Sequence, residues 1–552
     1  MVYKDKFNRW LESEVVDEKT KVELRGICQK EIEDRFSDDL EFGTGGLRGV
    51  MAAGTNRMNV YTVRLASTGL AMEILSHGEE FTAKGIVIAY DTRNNSNLFA
   101  QEAASVFLAN GIKTYLFDEQ RPTPELSFAV RHLGCARGVV ITASHNPKEY
   151  NGYKVYGEDG GQITDDSAGE ITSFIRNTDI FSDIKITDKK PIIIGKEIDD
   201  EYIKAIKKQV LTIDIPSDFK VVYTPIHGTG NKLVRRILSE IGVKNVFTVP
   251  EQEAPDGDFP TVNSPNPENH EVFNIAIKYA YEQDADIIIG TDPDSDRIGV
   301  VVRNSDGEFV TLNGNQTGCI MAEYILRKSK ENGLLTKSTI VKTIVTTEMV
   351  RNIAKDYGIE CIDVLTGFKY IGDVIKRFEE NGEEERFIFG LEESYGYLKG
   401  TYVRDKDAVV AAMIICEAAA DYKRRDLTLY DGLISLYEKY GFFKEELETK
   451  TLKGIDGLKK IQKIMDEFRN ESLPFDVFEK IDYKNGIGGL PEANVLKFMV
   501  KDGWFAVRPS GTEPKIKFYF EVCAEDKITG NDVLTALKES VLKNVGLCQE
   551  LG

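Results

Sequence analysis

The stretch ADIIIGTDPDSDR at residues 285–297 joins a short apolar run to a turn that carries three aspartates. The isoleucine-rich run, bounded by polar residues, predicts a buried β-strand. Asp292, Asp294 and Asp296 stand at i, i+2 and i+4, a spacing that lets three carboxylates converge on one hard cation. An EF-hand loop is excluded, because arginines occupy the positions where it needs glycine and glutamate. The stretch therefore predicts a metal-binding loop at the end of a strand, rather than a capping turn of solvated aspartates.

Short β-branched runs of the same kind recur along the chain: GIVIAY, GVVITA, KVVYT, STIVKTIVTT and RFIFG. Each is interpreted as a strand followed by a turn and a longer helical pattern, the rhythm of βαβ units. In open parallel sheets, ligands bind beyond the carboxyl ends of strands, so the residues that close each run are the candidates for chemistry. The segment WFAVRPSGTEPKIKFYFEV at 504–522 instead predicts two strands around a turn, the second half-exposed, in an α+β domain.

The 552 residues predict three or four domains at about 150 residues each. Residues 1–40 indicate an amphipathic helical extension, whose simplest role is a packing brace. We place the extension and domain I at 1–198, domain II at 199–310, domain III at 311–440 and domain IV at 441–552.

Net charge limits the partners, because 70 Lys and Arg stand against 90 Asp and Glu, a formal charge of −20. Such a chain repels nucleic acid and anionic membranes, and it binds a small phosphorylated ligand only where cations or a metal reverse the local field. The amino terminus lacks the apolar region of a secretory signal, and the longest helix-like apolar run, at 408–416, is too short to cross a bilayer. Seven scattered cysteines without a CxxC pair argue against zinc or disulfide frameworks. We expect a cytoplasmic protein with no nucleic-acid or membrane partner.

Two further motifs follow apolar runs. TASHNP at 142–147 exposes Ser144 on a turn as a possible nucleophile, although such a turn taken alone is more often a helix cap. A Ser-His-Asp hydrolase is disfavoured, because His145 is the adjacent residue and no GxSxG elbow exists. GLEESYG at 390–396 places acidic and hydroxyl groups suited to sugar hydroxyls at a strand end.

Two loops offer sites for anionic oxygens. RPSGTEPK at 508–515 combines hydroxyls, backbone donors and flanking cations, as a phosphate monoester requires. GTGGLRG at 43–49 fits neither GxGxxG nor the Walker pattern, so its flexible backbone and Arg48 suit a loop that reaches into a cleft.

Together these segments resemble the α-D-phosphohexomutase superfamily, whose four signatures appear here in the same order: the TASHNP phosphoserine loop, the DPDSDR metal loop, the GLEESYG sugar loop and the RPSGTEP phosphate loop. The resemblance runs from about residue 42 to 520, and GTGGLRGVM, GFKYIG and VRDKDA are most similar to the phosphoglucomutase branch. It implies an α/β fold of four domains around a central cleft, with three related mixed α/β-sheet domains and a smaller C-terminal α+β domain.

The resemblance also implies roles for individual residues. Ser144 would be the phosphoserine, and Mg²⁺ would be held by Asp292, Asp294, Asp296 and a Ser144 phosphate oxygen. The catalytic group would comprise Ser144, His145, Arg48, Lys154 and Lys406, with the general acid and base not assigned among them. The substrate would contact Arg297, Gly367, Lys369, Glu392, Ser394, Arg508, Ser510, Gly511 and Thr512.

The implied reaction interconverts glucose 1-phosphate and glucose 6-phosphate through a phosphoserine enzyme, with glucose 1,6-bisphosphate as intermediate and activator. Mannose or pentose phosphates as substrates stay alternatives. A metal-dependent phosphatase and a non-catalytic sugar-phosphate sensor are further alternatives, but the former would need no second phosphate grip and the latter would not need Ser144 and all three aspartates.

Overall fold

Four β-sheets occupy successive parts of the chain in the computed structural model, which describes residues 2–43, 45–212, 214–452, 454–471, 473, 475–510 and 515–547. The first three sheets mix parallel and antiparallel strands, and the fourth is antiparallel. This arrangement confirms the predicted fold class. The exact domain boundaries stay a prediction.

Three helices precede the first sheet: α1 (Val2–Glu12), α2 (Glu18–Gly26) and α3 (Gln29–Phe36). Trp10 is their anchor, since its ring lies 5.8 Å from Phe36, 5.1 Å from Tyr61 and 5.7 Å from Phe181 in edge-to-face contacts. The Tyr61 hydroxyl also donates to Asp17 Oδ2 over 2.8 Å and accepts from the Asp17 amide. The helices are thus packed onto the first α/β unit by an aromatic cluster.

The first sheet contains β1 (Gly46–Val50), β2 (Ile86–Tyr90), β3 (Thr114–Phe117), β4 (Arg137–Ile141), β5 (Tyr150–Tyr156) and β6 (Ile192–Ile194). Its order is β1-β5-β4-β2-β3-β6, parallel from β4 to β6 and antiparallel at the β5 and β1 edge. The accompanying helices are α4 (Val60–Ser76), α5 (Glu79–Lys84), α6 (Ser96–Ala109), α7 (Thr123–Leu133), α8 (Asp165–Arg176) and α9 (Lys196–Lys207).

The second sheet has the order β11-β10-β9-β7-β8 and is built from β7 (Lys220–Thr224), β8 (Asn245–Thr248), β9 (Ile287–Thr291), β10 (Ile298–Arg303) and β11 (Phe309–Leu312). Its helices are α10 (Asn231–Glu240), α11 (Pro250–Glu253) and α12 (Asn274–Gln283).

The third sheet has the order β13-β12-β14-β15, from β12 (Thr339–Thr343), β13 (Glu360–Val364), β14 (Phe387–Glu392) and β15 (Gly396–Leu398). Its helices are α13 (Gly314–Glu331), α14 (Met349–Asp356), α15 (Phe368–Glu380), α16 (Ala408–Lys423) and α17 (Leu429–Tyr440).

The fourth sheet has the order β16-β20-β19-β18-β17, from β16 (Phe442–Thr451), β17 (Glu479–Asp482), β18 (Leu496–Val500), β19 (Gly503–Pro509) and β20 (Lys515–Ala524), with α18 (Gly454–Asn470) and α19 (Lys527–Asn544). The prediction of a half-exposed second strand is wrong for the middle of β20. Phe518 and Phe520 face the core shared with the helices, while Tyr519 and Glu521 are also buried, with Tyr519 packed beside Ile344 of the third unit. The sheet is covered on both faces there because it docks against its neighbour.

The predicted βαβ rhythm holds for β2, β7 and β12, which lead into α6, α10 and α14. It is wrong for GVVITA, ADIIIG and RFIFG, because β4, β9 and β14 are each followed by an antiparallel partner, β5, β10 and β15. The segments after these turns, YNGYKVY, IGVVVR and GYL, are themselves rich in β-branched and aromatic residues, which favour strands. The motif turns therefore connect neighbouring antiparallel strands.

Within the described residues, no helix combines the length and apolar character needed to cross a bilayer.

Replacing Trp10 by alanine tests the role of the aromatic cluster. Removing this buried ring should cost about 3–5 kcal/mol locally, so the first three helices should become the earliest tryptic cleavage region and the first urea transition should move to lower denaturant. Val22→Ala is the matched control, because Val22 is 59% exposed on α2. A Trp10→Ala protein with the wild-type cleavage pattern would contradict the anchoring role.

Candidate functional site

The motif loops share one structural setting: each connects two adjacent antiparallel strands. TASHNP lies between β4 and β5, DPDSDR between β9 and β10, GLEESYG between β14 and β15, and RPSGTEP between β19 and β20. Among the described residues of these loops, three non-glycine residues have a left-handed backbone, namely Ser144 (φ 50°), Ser295 (φ 52°) and Tyr395 (φ 67°). Such conformations are costly and persist where surrounding contacts enforce them.

Ser144 of the first loop meets Asp292 of the second. Ser144 is 3% exposed, and its Oγ donates a hydrogen bond to Asp292 Oδ2 over 2.8 Å. The other oxygen, Asp292 Oδ1, accepts from the backbone amides of Asp296 and Arg297, each over 3.1 Å. Asp292 thus closes its own turn with one oxygen and contacts the serine with the other.

The three aspartates form one buried cluster. Ligand oxygens of Asp292, Asp294 and Asp296 lie within 4.8 Å of one another, and no side chain of the three is more than 2% exposed. Asp294 Oδ1 and Asp296 Oδ1 are buried without a hydrogen-bond partner. Buried carboxylate oxygens without donors are costly, and a divalent cation would satisfy them. The donor set therefore fits a hard metal ion, as the sequence predicted.

Burial and mutual repulsion shape the titration of this cluster. Burial, together with the charges of Asp294 and Asp296, raises the pKa of Asp292 well above its usual range. The pKa of Asp294 is lowered despite burial, because Lys154 and the Thr123 hydroxyl stabilise its ionised form.

Two lysines from other parts of the chain neutralise the cluster. Lys154 Nζ, on β5, lies 2.8 Å from Asp294 Oδ2 and 3.4 Å from Asp296 Oδ2. Lys406 Nζ, between β15 and α16, lies 3.3 Å from Asp296 Oδ2 and 3.0 Å from Asp405 Oδ1. Although burial opposes it, the pKa of both lysines is raised by the carboxylates around them. Both side chains therefore remain charged at neutral pH.

Arg297 connects the metal loop to the loop of the third sheet. Its backbone forms an isolated bridge with Gly396, and its guanidinium pairs with Glu268. Despite burial, Glu268 and Asp296 raise its pKa above the usual range.

His145 and Arg48 lie beside Ser144. His145 Nδ1 is 3.2 Å from Ser144 Oγ, and burial together with the charges of Arg297 and Arg48 lowers the pKa of His145 well below its usual value. Arg48, an exposed residue of β1, donates to Asn146 Oδ1 over 3.1 Å. A neutral imidazole and a cation thus flank the serine.

Close backbone packing requires a glycine at position 46, at the start of β1. Gly46 has φ 138°, and a Cβ on it would lie 1.8 Å from the carbonyl oxygen of Tyr153. Gly46 therefore begins the edge strand β1 and does not form the strand-to-helix turn of a dinucleotide-binding motif.

Glu392 and Ser394 lie at the end of β14, as predicted. Glu392 is 5% exposed, and its carboxylate lies 4.0 Å from Lys406 Nζ. Burial raises the pKa of Glu392 to about 7, although the neighbouring Lys406 opposes this. Ser394 is half-buried in the turn that follows.

Gly367 and Lys369 stand at the start of α15, and the structure does not bring Lys369 to the aspartate cluster. Gly367 has φ 120° with open space around it. Lys369 Nζ instead pairs with Asp165 Oδ1 over 2.9 Å, and Asp165 is largely exposed. Lys369 thus bridges the third unit to the first in this conformation.

Arg508 and Ser510 stand at the end of β19. Arg508 pairs in register with Lys517, and burial together with the charge of Arg508 lowers the pKa of Lys517. The Ser510 amide donates to the Lys515 carbonyl over 2.8 Å. The predicted residues Gly511 and Thr512 lie outside the described residues.

Sequence reasoning missed several polar residues at the site. Thr123, at the start of α7, donates to Asp294 Oδ2 over 2.8 Å, and Asp405 supports Lys406. Glu268 pairs with Arg297, Lys517 accompanies Arg508, and Arg93 holds the backbone of the serine loop. Of these, Arg93 had a sequence signal, because it follows the apolar run GIVIAY at a strand end.

Four family models match successive segments of the chain. They describe the phosphoglucomutase/phosphomannomutase α/β/α domain I at residues 39–180, domain II at 200–307, domain III at 313–440 and the C-terminal domain at 447–532.

Known proteins agree with these models. A phosphoglucomutase of Staphylococcus epidermidis is 37% identical over 540 residues, covering 94% of this chain and 97% of the relative. A putative phosphomannomutase from Thermus thermophilus shares the fold with a TM-score of 0.70 at 22% identity, covering 92% of this chain and 99% of that one. The pp63/parafusin phosphoglucomutase from Paramecium, in an open form, gives a TM-score of 0.70 at 16% identity, covering 92% and 95%. The chain belongs to the phosphoglucomutase/phosphomannomutase family.

Proposed function

We propose that this chain is a phosphoglucomutase that interconverts glucose 1-phosphate and glucose 6-phosphate through a phosphorylated Ser144. The observation that carries the proposal is the 2.8 Å contact of Ser144 Oγ with Asp292 Oδ2, at a cluster that also holds two buried carboxylate oxygens without donors. A serine at a hard-cation site surrounded by lysines is suited to phosphoryl transfer, which depends on positioning and charge neutralisation. The relatives named phosphoglucomutase favour glucose over mannose or pentose phosphates.

Phospho-Ser144 would give its phosphoryl group to the free 6-hydroxyl of glucose 1-phosphate. The hydroxyl oxygen forms a new bond to phosphorus, the bond between phosphorus and Oγ breaks, the sugar hydroxyl loses its proton and Oγ gains one. The neutral ring of His145, 3.2 Å from Oγ, supports a role in exchanging a proton with that oxygen. The resulting glucose 1,6-bisphosphate would turn around and return its 1-phosphoryl group to Ser144 by the reverse of this step: Oγ bonds to phosphorus and loses its proton, the bond between phosphorus and the 1-oxygen breaks, and the 1-oxygen of glucose 6-phosphate gains a proton.

The residues around Ser144 would bind and neutralise the groups involved. Lys154, already paired with two aspartates, would stabilise negative charge on the transferring group. Glu392, and Ser394 in the next turn, would accept and donate hydrogen bonds to the sugar hydroxyls. Arg508, Ser510 and the adjoining 511–512 segment, together with Lys517, would hold the phosphate that does not react.

Asp292, Asp294 and Asp296, with an oxygen of phospho-Ser144, would hold Mg²⁺. When bound, this ion would polarise the phosphoryl oxygens and offset their charge. Glucose 1,6-bisphosphate would act as an activator by restoring phosphate to Ser144.

The assay that tests the function supplies glucose 1-phosphate, Mg²⁺ and catalytic glucose 1,6-bisphosphate and follows glucose 6-phosphate. Mannose 1-phosphate and ribose 1-phosphate are run in parallel. We expect preference for glucose 1-phosphate and loss of turnover in Ser144→Ala, with Ser173→Ala, on the exposed side of α8, as control. A preference for another sugar phosphate would change only the proposed substrate, whereas steady release of inorganic phosphate would favour a phosphatase.

Mg²⁺ binding should stabilise the folded protein. At a metal concentration of 100 times the dissociation constant, the free energy of unfolding should rise by about 2.7 kcal/mol, seen as a higher thermal midpoint after chelator-treated protein receives Mg²⁺. Asp296→Asn should abolish this rise, because it removes a ligand from the buried cluster. The exposed Asp306→Asn should keep it. An unchanged rise in Asp296→Asn would contradict the metal site.

Glu392 should give substrate binding an acid-side pH dependence. With a pKa of about 7, this carboxylate is ionised above that pH and protonated below it. The ionised form accepts hydrogen bonds on both oxygens, whereas protonation turns one oxygen into a donor. The KM for glucose 1-phosphate should therefore rise as the pH falls below 7.

Glu392→Gln should raise the KM for glucose 1-phosphate and remove the change of KM with pH that lies near pH 7. The change caused by titration of the substrate phosphate, at about pH 6, should remain. If the glutamine variant retains the whole acid-side rise, the dependence belongs to the substrate phosphate and not to Glu392.

A further inference from the structure

Arg93 is a fully buried cation beneath the loop that carries Ser144. It follows β2 in the stretch YDTRNN at residues 90–95, and the side chains of both Arg93 and Asp91 are 0% exposed. Asp91 Oδ2 lies 3.3 Å from Arg93 Nε, and the guanidinium carbon lies 5.1 Å from the ring centre of Phe259. The guanidinium is therefore held between a carboxylate of the first unit and an aromatic ring of the second.

Within the described residues, the terminal nitrogens of Arg93 donate hydrogen bonds only to backbone carbonyls of the serine loop, residues 144–150. Nη1 donates to the carbonyl of Pro147 over 2.9 Å and to that of Tyr150 over 3.1 Å. Nη2 donates to the carbonyls of Ser144 and Asn146. One planar guanidinium thus fixes four carbonyls within seven residues, a geometry that a lysine ammonium cannot reproduce.

These contacts act on the residue whose conformation is costly. Ser144 has φ 50°, a left-handed backbone that a serine does not adopt without support. Fixing its carbonyl oxygen fixes the peptide plane that follows it. The amide of Ser144 is held on the other side by Thr142 Oγ1 over 2.8 Å. Together the two contacts set the direction of Oγ toward Asp292.

A loop of the second unit completes the clamp. This loop contributes the ring of Phe259, and its Ser264 hydroxyl donates to the carbonyl of His145 over 2.9 Å. Gly257 packs so closely that an added Cβ would lie 2.3 Å from the amide nitrogen of Asn94. The serine loop is thereby held against the 257–264 segment of the second unit.

We propose that Arg93 is a positioning residue for phosphoryl transfer: its guanidinium, held between Asp91 and Phe259, fixes the 144–150 loop and thereby aims Ser144 Oγ at the metal loop. The proposal rests on the proposed function of Ser144. It assigns Arg93 no contact with substrate, since its side chain is fully buried and its terminal nitrogens bind four carbonyls.

Single-turnover transfer separates positioning from simple structural support. Wild type and Arg93→Lys are first phosphorylated with glucose 1,6-bisphosphate, and the phosphorylated fraction is measured by intact mass. The phosphoryl group on Ser144 carries a radioactive label, and excess unlabelled glucose 1-phosphate and Mg²⁺ are then mixed in. Transfer of the label from Ser144 to the sugar is followed by quenching, because the phosphoryl group that returns to Ser144 is unlabelled. Positioning predicts that the whole phosphorylated fraction reacts, with a rate constant about 100-fold lower, as expected for a small misplacement of a reacting group.

Two further variants define the outcome. Arg64→Lys is the matched control, because Arg64 forms an ion pair with Glu102 over 2.7 Å between α4 and α6, away from the loop. Its rate constant should equal that of the wild type. Phe259→Leu removes the ring over Arg93 and should lower the rate constant less than Arg93→Lys does, with full reacting fraction. If Arg93→Lys does not fold, the rate constant of Phe259→Leu tests the positioning role in its place.

The proposal would be overturned if Arg93→Lys, or Phe259→Leu in its place, kept the wild-type rate constant and lost only part of the reacting fraction. That result would mean that Arg93 supports folding alone. A wild-type protein that never becomes phosphorylated on Ser144 would overturn the proposed function, and the role of Arg93 with it.

Discussion

The burial of three carboxylates on one short loop is the constraint on which the site depends. Asp292, Asp294 and Asp296 would repel one another in a medium of low polarity, so positive partners must surround them. Those partners come from different sheets: Lys154 from β5 of the first, and Lys406 from the segment after β15 of the third. The cluster is therefore stable only when the first three units are assembled, and the same assembly brings Ser144 to the metal loop.

The antiparallel connections explain how these loops are held in place. A turn between two hydrogen-bonded neighbouring strands is tethered at both ends by the sheet, unlike a loop that leads into a helix. This tethering supports the left-handed residues at Ser144, Ser295 and Tyr395, where strain is concentrated next to the chemistry. Contacts between loops, such as the backbone bridge of Arg297 with Gly396, then link one sheet to the next.

The fourth sheet is attached through buried polar contacts rather than apolar packing alone. Lys497 is 4% exposed and donates to the Ile344 carbonyl over 2.7 Å, and the Glu348 amide donates to Glu521 Oε2 over 2.9 Å. These contacts fix the orientation of β19 and β20 relative to the third unit. Arg508 and Lys517 stand side by side at the end of this sheet, where a bound anion would relieve the mutual repulsion of the two cations.

The sequence by itself determined which apolar runs form strands, the α/β class and the residues of the four motif loops. The spacing of apolar residues and the residue types in turns are local properties of the chain. Resemblance then identified the family. The sequence did not reveal that β4, β9 and β14 continue into antiparallel partners, nor that β20 is buried on both faces, because pairing depends on distant segments. Thr123 and Arg93 were missed for the same reason: each acts on a loop far away along the chain. Lys369 matched a motif, yet it pairs with Asp165 in this conformation. Which charges meet, and which oxygens stay without donors, was decided only by the tertiary structure, because electrostatic partners are set by distance in space and by the exclusion of water.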